Sequence, residues 1–95
     1  MKYTPHEAAA KIINHYGVQH QLVKLCEECA ELAQQAAKCY DKGIPYSEDM
    51  IEEMADVQIM LMQFRRILPN YWYDRLYEIQ RQKLDRQLKR IESEE

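Results

Sequence analysis

The chain has 95 residues, with 13 Lys or Arg against 16 Asp or Glu and a formal net charge of −3. This length suits one small domain with a modest core, for which association with further copies is a natural way to bury more surface. The acidic balance argues against a general nucleic-acid binder, and no apolar run approaches the roughly 18 residues that span a bilayer.

The first residues, "MKYTPHEAAAKIINHY", lack the apolar stretch and cleavage pattern of a signal peptide. A cytoplasmic protein is expected, with no membrane and no stable nucleic-acid partner. Thr4 and Pro5, with Glu7, read as an N-cap, a proline at the first helical position and a capping-box acid. The first helix should run to about Tyr16 and stop at Gly17. The second should run from about Val18 to Tyr40 and end near Gly43. "DKGIPYSED" is the main loop, and Ser47 is a good N-cap for a third helix, with Glu48 and Asp49 at the positive end of its dipole. That helix should reach about Leu68. Pro69 breaks it, and Asn70 can cap a fourth helix extending nearly to the C-terminus. No stretch reads as a strand. The expected fold is a single all-α domain over 1–95, a bundle of one short and three longer helices.

The second helix carries two superposed patterns in "LCEECAEL": Cys26 and Cys29 form C-x-x-C, and Glu27, Glu28 and Glu31 form E-E-x-x-E. A zinc site commonly takes four ligands in paired spacings, and Cys39, His6, His15 and His20 supply no second pair. A thioredoxin-type motif belongs beside a βαβ unit, which is lacking here. On a helix, Leu22, Cys26, Cys29, Ala33, Ala36 and Ala37 share one apolar face. Cys26 and Cys29 are therefore expected to face inward and pack as small hydrophobes.

Glu28 and Glu31 are three apart and share a helix face, turned away from that apolar stripe. The third helix, "MIEEMADVQIMLMQF", is apolar around most of its girth and should be largely buried. It nevertheless carries Glu53 and Asp56, again three apart. Antiparallel packing of the two helices would bring four carboxylates together. Their repulsion would raise their pKa values unless a divalent cation held them ionised. Mg²⁺ fits such an all-oxygen site, with Mn²⁺ as a substitute. Bridging di-iron bundles use Glu-x-x-His, and neither pair has the His. The competing reading makes these acids the solvated surface of an interaction bundle.

"EECAE" followed by "EMAD" on the next expected helix resembles the E-E-x-x-E…E-x-x-D signature of the MazG-like, all-α nucleoside triphosphate pyrophosphohydrolases. The flanking stretches "HQLVKLCEECAELAQQAAK" and "DMIEEMADVQIML" look like the family's motif helices, and "KLDRQLKRI" looks like the last helix of its small phage or bacterial members. The resemblance covers about residues 15–91. Three cysteines and a very short loop between the motif helices depart from it. The resemblance implies hydrolysis of a nucleoside triphosphate to monophosphate and pyrophosphate with Mg²⁺. It implies Glu28, Glu31, Glu53 and Asp56 as metal ligands, and a less direct role for Glu27, either supporting the ligands or activating the water. It also implies a homo-oligomer, dimer or tetramer, in which neighbouring subunits complete the pocket.

The fourth helix offers cations independently of the family. Trp72, Leu76, Ile79, Lys83, Arg86 and Arg90 recur every three or four residues, apolar first and basic later. Such a stripe can carry Lys83 and Arg86 toward phosphates; equally, the basic end can simply suit the helix dipole. Lys24, one turn before Glu28, is a further phosphate candidate, and Gln21 on the same face can bond a base or sugar. Tyr71, Trp72 and Tyr73 suit packing better than base stacking. The alternative function is a non-catalytic helical interaction or nucleotide-binding module.

Overall fold

Thr4 begins the first helix with a reciprocal cap. Its Oγ1 accepts from the Glu7 N–H at 3.1 Å, and its own N–H donates to Glu7 Oε1 at 3.0 Å. The computed structural model describes residues 1–94. It contains α1 (Pro5–Tyr16), α2 (Val18–Lys42), α3 (Glu48–Ile67) and α4 (Asn70–Glu94). The expected all-α architecture of one short and three longer helices is the one found, with no strand among the described residues.

Each break has a local cause. Gly17 turns the chain at φ 89°, where its N–H closes on the Ile13 carbonyl at 2.8 Å. Gly43 ends α2 in the left-handed region at φ 68°, open to glycine without steric cost. Ser47 caps α3 by accepting from the Met50 N–H at 3.1 Å. Leu68 is extended (φ −71°, ψ 131°), as the residue before Pro69 must be.

The hairpin of α2 and α3 is antiparallel. Gln21 meets Gln63, Glu28 lies with Asp56, and Cys39 Sγ sits 3.5 Å from Ser47 Oγ, so the partner number falls as the residue number rises. The residues of α2 that turn away from solvent are Gln21, Leu25, Glu28, Leu32, Gln35 and Cys39. Their alternating spacing of four and three is that of a coiled-coil stripe. α1 packs mainly on α3 and more lightly on α2. Ala9, Ile13, Cys39 and Met60 are the buried apolar residues.

Within one copy of the chain two expectations fail, and of the two readings left open for the α4 stripe the core-facing one is not met. Cys26 and Cys29 are exposed, and Cys39 is the buried cysteine. Two stripes of identical spacing lie side by side on α2, and α3 takes the one containing Leu25 and Leu32 rather than the Cys/Ala one. α3 is not largely buried: Met60 and Gln63 are, whereas Ile51, Met54, Ile59 and Leu61 are exposed. The stripe on α4 does not face a core. α4 has no buried residue, and Trp72 is 56% exposed. The radius of gyration is 16.5 Å, against roughly 12 Å for a compact chain of this length. The cause is common to all three. A single hairpin with one short helix against it has too few neighbours to cover every apolar face.

Candidate metal centre

Antiparallel pairing of α2 and α3 puts the E-x-x-E turn of one beside the E-x-x-D turn of the other. Glu28, Glu31, Glu53 and Asp56 each offer one carboxylate oxygen, and these oxygens lie within 4.8 Å of one another. The four residues expected as ligands are thus brought together. Glu28 belongs to the α2 stripe that faces α3 and is 7% exposed; Glu53 is half-buried, and Glu31 and Asp56 lie at the exposed edge.

The electrostatics of the group are unbalanced. Lys24 Nζ lies 3.2 Å from Glu28 Oε1 and 3.8 Å from Glu27 Oε2. Its ammonium is held above the usual lysine value, chiefly by the hydrogen bond to Glu28 and then by that carboxylate's charge. Among the described residues it is the one cation in ion-pair reach of the cluster. Glu28 Oε2 and Glu53 Oε2 are buried and have no hydrogen-bond partner. Burial raises the Glu53 pKa most, followed by the neighbouring Glu31 carboxylate and then by the charges of Asp56 and Glu28. A buried carboxylate oxygen without a partner is costly, and like charges this close resist joint ionisation.

The donor set decides which cation would suit the group. It is all carboxylate oxygen, with neither imidazole nor thiolate, and such a set favours hard divalent ions over zinc or copper. The unpartnered oxygens of Glu28 and Glu53 would gain from such an ion the interaction that the protein itself does not give them.

The carboxylates open into a cavity of about 620 Å³ between α1, α2 and α3, lined on the acidic side by Lys24, Glu27, Glu28 and Asp56. That volume is within the usual range for small-molecule sites. Gln21 lines the cavity as well, two turns along α2 from Glu28. Glu27 sits at the mouth with its side chain 57% exposed. Lys83 and Arg86 are exposed on α4 and do not line this cavity, so one copy of the chain does not carry them to the carboxylates. Tyr71, Trp72 and Tyr73 are also exposed. Sequence reasoning passed over Gln63, Tyr16 and His20, which line the far side. A signal for Gln63 was present: it follows Asp56 by seven residues, as Gln21 precedes Glu28 by seven, so both amides stand two turns from the acids on facing stripes.

No helix among the described residues is long and apolar enough to cross a membrane. Compared with protein-family models, curated proteins and solved structures, the chain matches none.

Proposed function

We propose that this chain is a Mg²⁺-dependent nucleotide pyrophosphohydrolase, resembling the MazG-like enzymes, that cleaves a nucleoside triphosphate or related nucleotide to monophosphate and pyrophosphate. One observation carries the reading: four carboxylates from two helices converge within 4.8 Å while two of their buried oxygens lack any partner. A solvated acidic surface would leave those oxygens in water. Burying them without a partner makes sense if an ion supplies one.

Glu28, Glu31, Glu53 and Asp56 would hold Mg²⁺ or, as a substitute, Mn²⁺. The ion supplies neutralisation of phosphate oxygens and activation of a water for attack. The chain's own residues do the rest. Lys24, beside Glu28 at the cavity wall, offers its remaining N–H donors to a phosphate oxygen. Glu27 lies outside the four-carboxylate group, so it is not needed as a metal ligand and, with Lys24 3.8 Å from one of its oxygens, can accept a proton on the other. In the step, water oxygen bonds to the α-phosphorus, the bond from that phosphorus to the bridging oxygen breaks, and pyrophosphate leaves. Glu27 accepts the proton released by the water.

The assembly proposed for this chemistry is a homo-oligomer, dimer or tetramer, acting in the cytoplasm. The exposed apolar faces of α2, α3 and α4 support it, because few contacts within one chain stabilise α4. Lys83 and Arg86 would then reach phosphates from a neighbouring copy. The exposure of Trp72, Leu76, Leu84 and Leu88 also favours a second reading, a helical module that binds another protein without catalysis.

The test is direct. Purified protein is incubated with Mg²⁺ and a panel of canonical and modified nucleotides, and pyrophosphate and monophosphate are measured. Metal-dependent release of both supports the enzyme. No turnover of any nucleotide, with no Mg²⁺-dependent thermal shift, would leave the interaction module as the better account.

A further inference from the structure

The cavity does not end at the carboxylates. Its far side is built from two buried amides, Gln21 at 4% and Gln63 at 1% exposure. Gln21 Nε2 donates to Gln63 Oε1 at 2.8 Å. The direction of this pair is fixed from one end. Met60 Sδ can only accept, and it lies 3.5 Å from Gln63 Nε2. Gln63 therefore turns its oxygen to Gln21, and Gln21 turns its oxygen to His20 Nδ1 at 2.6 Å. His20 donates from Nδ1 in this arrangement. The Tyr16 ring stacks on the His20 ring, with centroids 5.2 Å apart and planes 18° from parallel, and both line the same cavity.

Primary amides are costly to bury unless their hydrogen-bonding capacity is used. Each has two N–H donors and two acceptor sites. In this chain of contacts each glutamine uses one donor and one acceptor, and the Gln63 donor is spent on a weakly accepting sulfur. Each glutamine keeps one donor and one acceptor position that these contacts do not use, and both residues line the cavity together with the aromatic stack. They stand seven residues from the acidic turn, about 10 Å along the helix. That is about the length a nucleotide spans from its phosphate to the far edge of its base.

We propose that Gln21 and Gln63 form a reading head for the hydrogen-bonding edge of a nucleobase, whose ring lies against the Tyr16–His20 stack. The ligand class is a base in which an N–H or amino donor stands beside a carbonyl or ring-nitrogen acceptor. A base with that edge blocked by alkylation is rejected, because it leaves buried amide groups without partners. The triphosphate end rests on the pyrophosphohydrolase reading; the base end stands on the amides and does not require the metal.

The experiment uses full-length protein without metal, with the side-chain amide signals of Gln21 and Gln63 assigned by NMR. The four common nucleosides are titrated in turn, and the one that binds is compared with its counterpart methylated on the ring N–H or amino group. At least one unmodified nucleoside is expected to shift both amide signals, and its methylated counterpart to bind at least 10-fold more weakly. Gln63→Glu, nearly the same shape but without the N–H donors, is expected to weaken the nucleoside by a similar factor while keeping the Mg²⁺-induced thermal shift. Gln63→Met, which keeps an unbranched chain without polar donors, serves as the second variant. If no nucleoside moves the amide signals, or if both variants bind it as the parent does, the base site is overturned. Shifts at the amides in a protein that hydrolyses nothing would sink the enzyme reading and keep the base site. Hydrolysis with unchanged base preference in both variants would do the reverse.

Discussion

Lys24 Nζ sits 3.2 Å from Glu28 Oε1 and leaves Glu28 Oε2 buried without a partner. One lysine thus offsets one negative charge in a group of four carboxylates and leaves one Glu28 oxygen without a partner. The shortfall of positive charge is what a divalent cation would make up, and it sets the direction of the predictions below.

Glu53→Gln removes one of the crowded negative charges with little change of shape. Metal-free variant protein should melt above the parent at neutral pH, because repulsion from Glu31, Asp56 and Glu28 is relieved. The same change should abolish the Mg²⁺-induced rise in melting temperature and lower turnover by at least about 100-fold. Asp56→Asn should behave alike towards metal. Turnover that survives both substitutions would sink the ligand assignment.

The pH dependence follows from Glu53. Its folded-state pKa is raised, chiefly by burial, so the folded chain holds that proton more tightly than the unfolded chain does. This contribution is fully present below the unfolded glutamate value and is lost as pH rises through the folded value. The melting temperature of metal-free parent protein should therefore fall, relative to Glu53→Gln, on going from mildly acidic to neutral pH. Saturating Mg²⁺ should reverse the difference, since metal displaces the proton and binds more tightly as pH rises. Paired thermal melts over this range, with and without Mg²⁺, check both signs.

Thiol labelling reports the assembly. Cys26 and Cys29 are exposed in one copy and Cys39 is 4% exposed. If the Cys/Ala face of α2 is covered by another copy, Cys26 and Cys29 should label slowly at high protein concentration and quickly on dilution. Cys39 should label slowly throughout. Leu22→Asp, on the same face, should shift the sedimentation coefficient towards the monomer. Rapid labelling of Cys26 at every concentration would place the interface elsewhere.

Ser47 joins the two motif helices. It caps α3 through the Met50 N–H and touches Cys39 at the end of α2. Ser47→Ala should cost about 1 kcal/mol by loss of the cap. For a domain of this size that corresponds to a fall in melting temperature of roughly 4–8 °C. Mg²⁺ should still stabilise the variant, because the carboxylates lie two to three turns away along each helix.

Helix limits were legible because their causes are local. Thr4 with Glu7, the two glycines, Ser47 and Pro69 each act within a few residues through a cap or a steric rule, and the helices begin and end at or within two residues of where those signals put them. The carboxylate group was legible for a related reason. Two three-residue spacings on consecutive helices joined by a short loop must come near each other if the helices pack antiparallel. The loop length is in the sequence, and so are the spacings.

Which face of α2 turns inward was not legible. The stripes running from Gln21 to Cys39 and from Leu22 to Ala36 have the same period, and the second is the more apolar, so hydrophobicity alone favours the wrong one. Only the packing of α3 against Leu25, Glu28 and Leu32 chooses between them, and that choice buries Glu28 while leaving Cys26 and Cys29 outside. The pairing of Gln21 with Gln63, 42 positions apart, rests on the same choice. Sequence determined the elements and the chemistry available on each face. Tertiary packing decided which of those faces meet, because a period fixes the residues that share a stripe and says nothing about which stripe a neighbouring helix will cover.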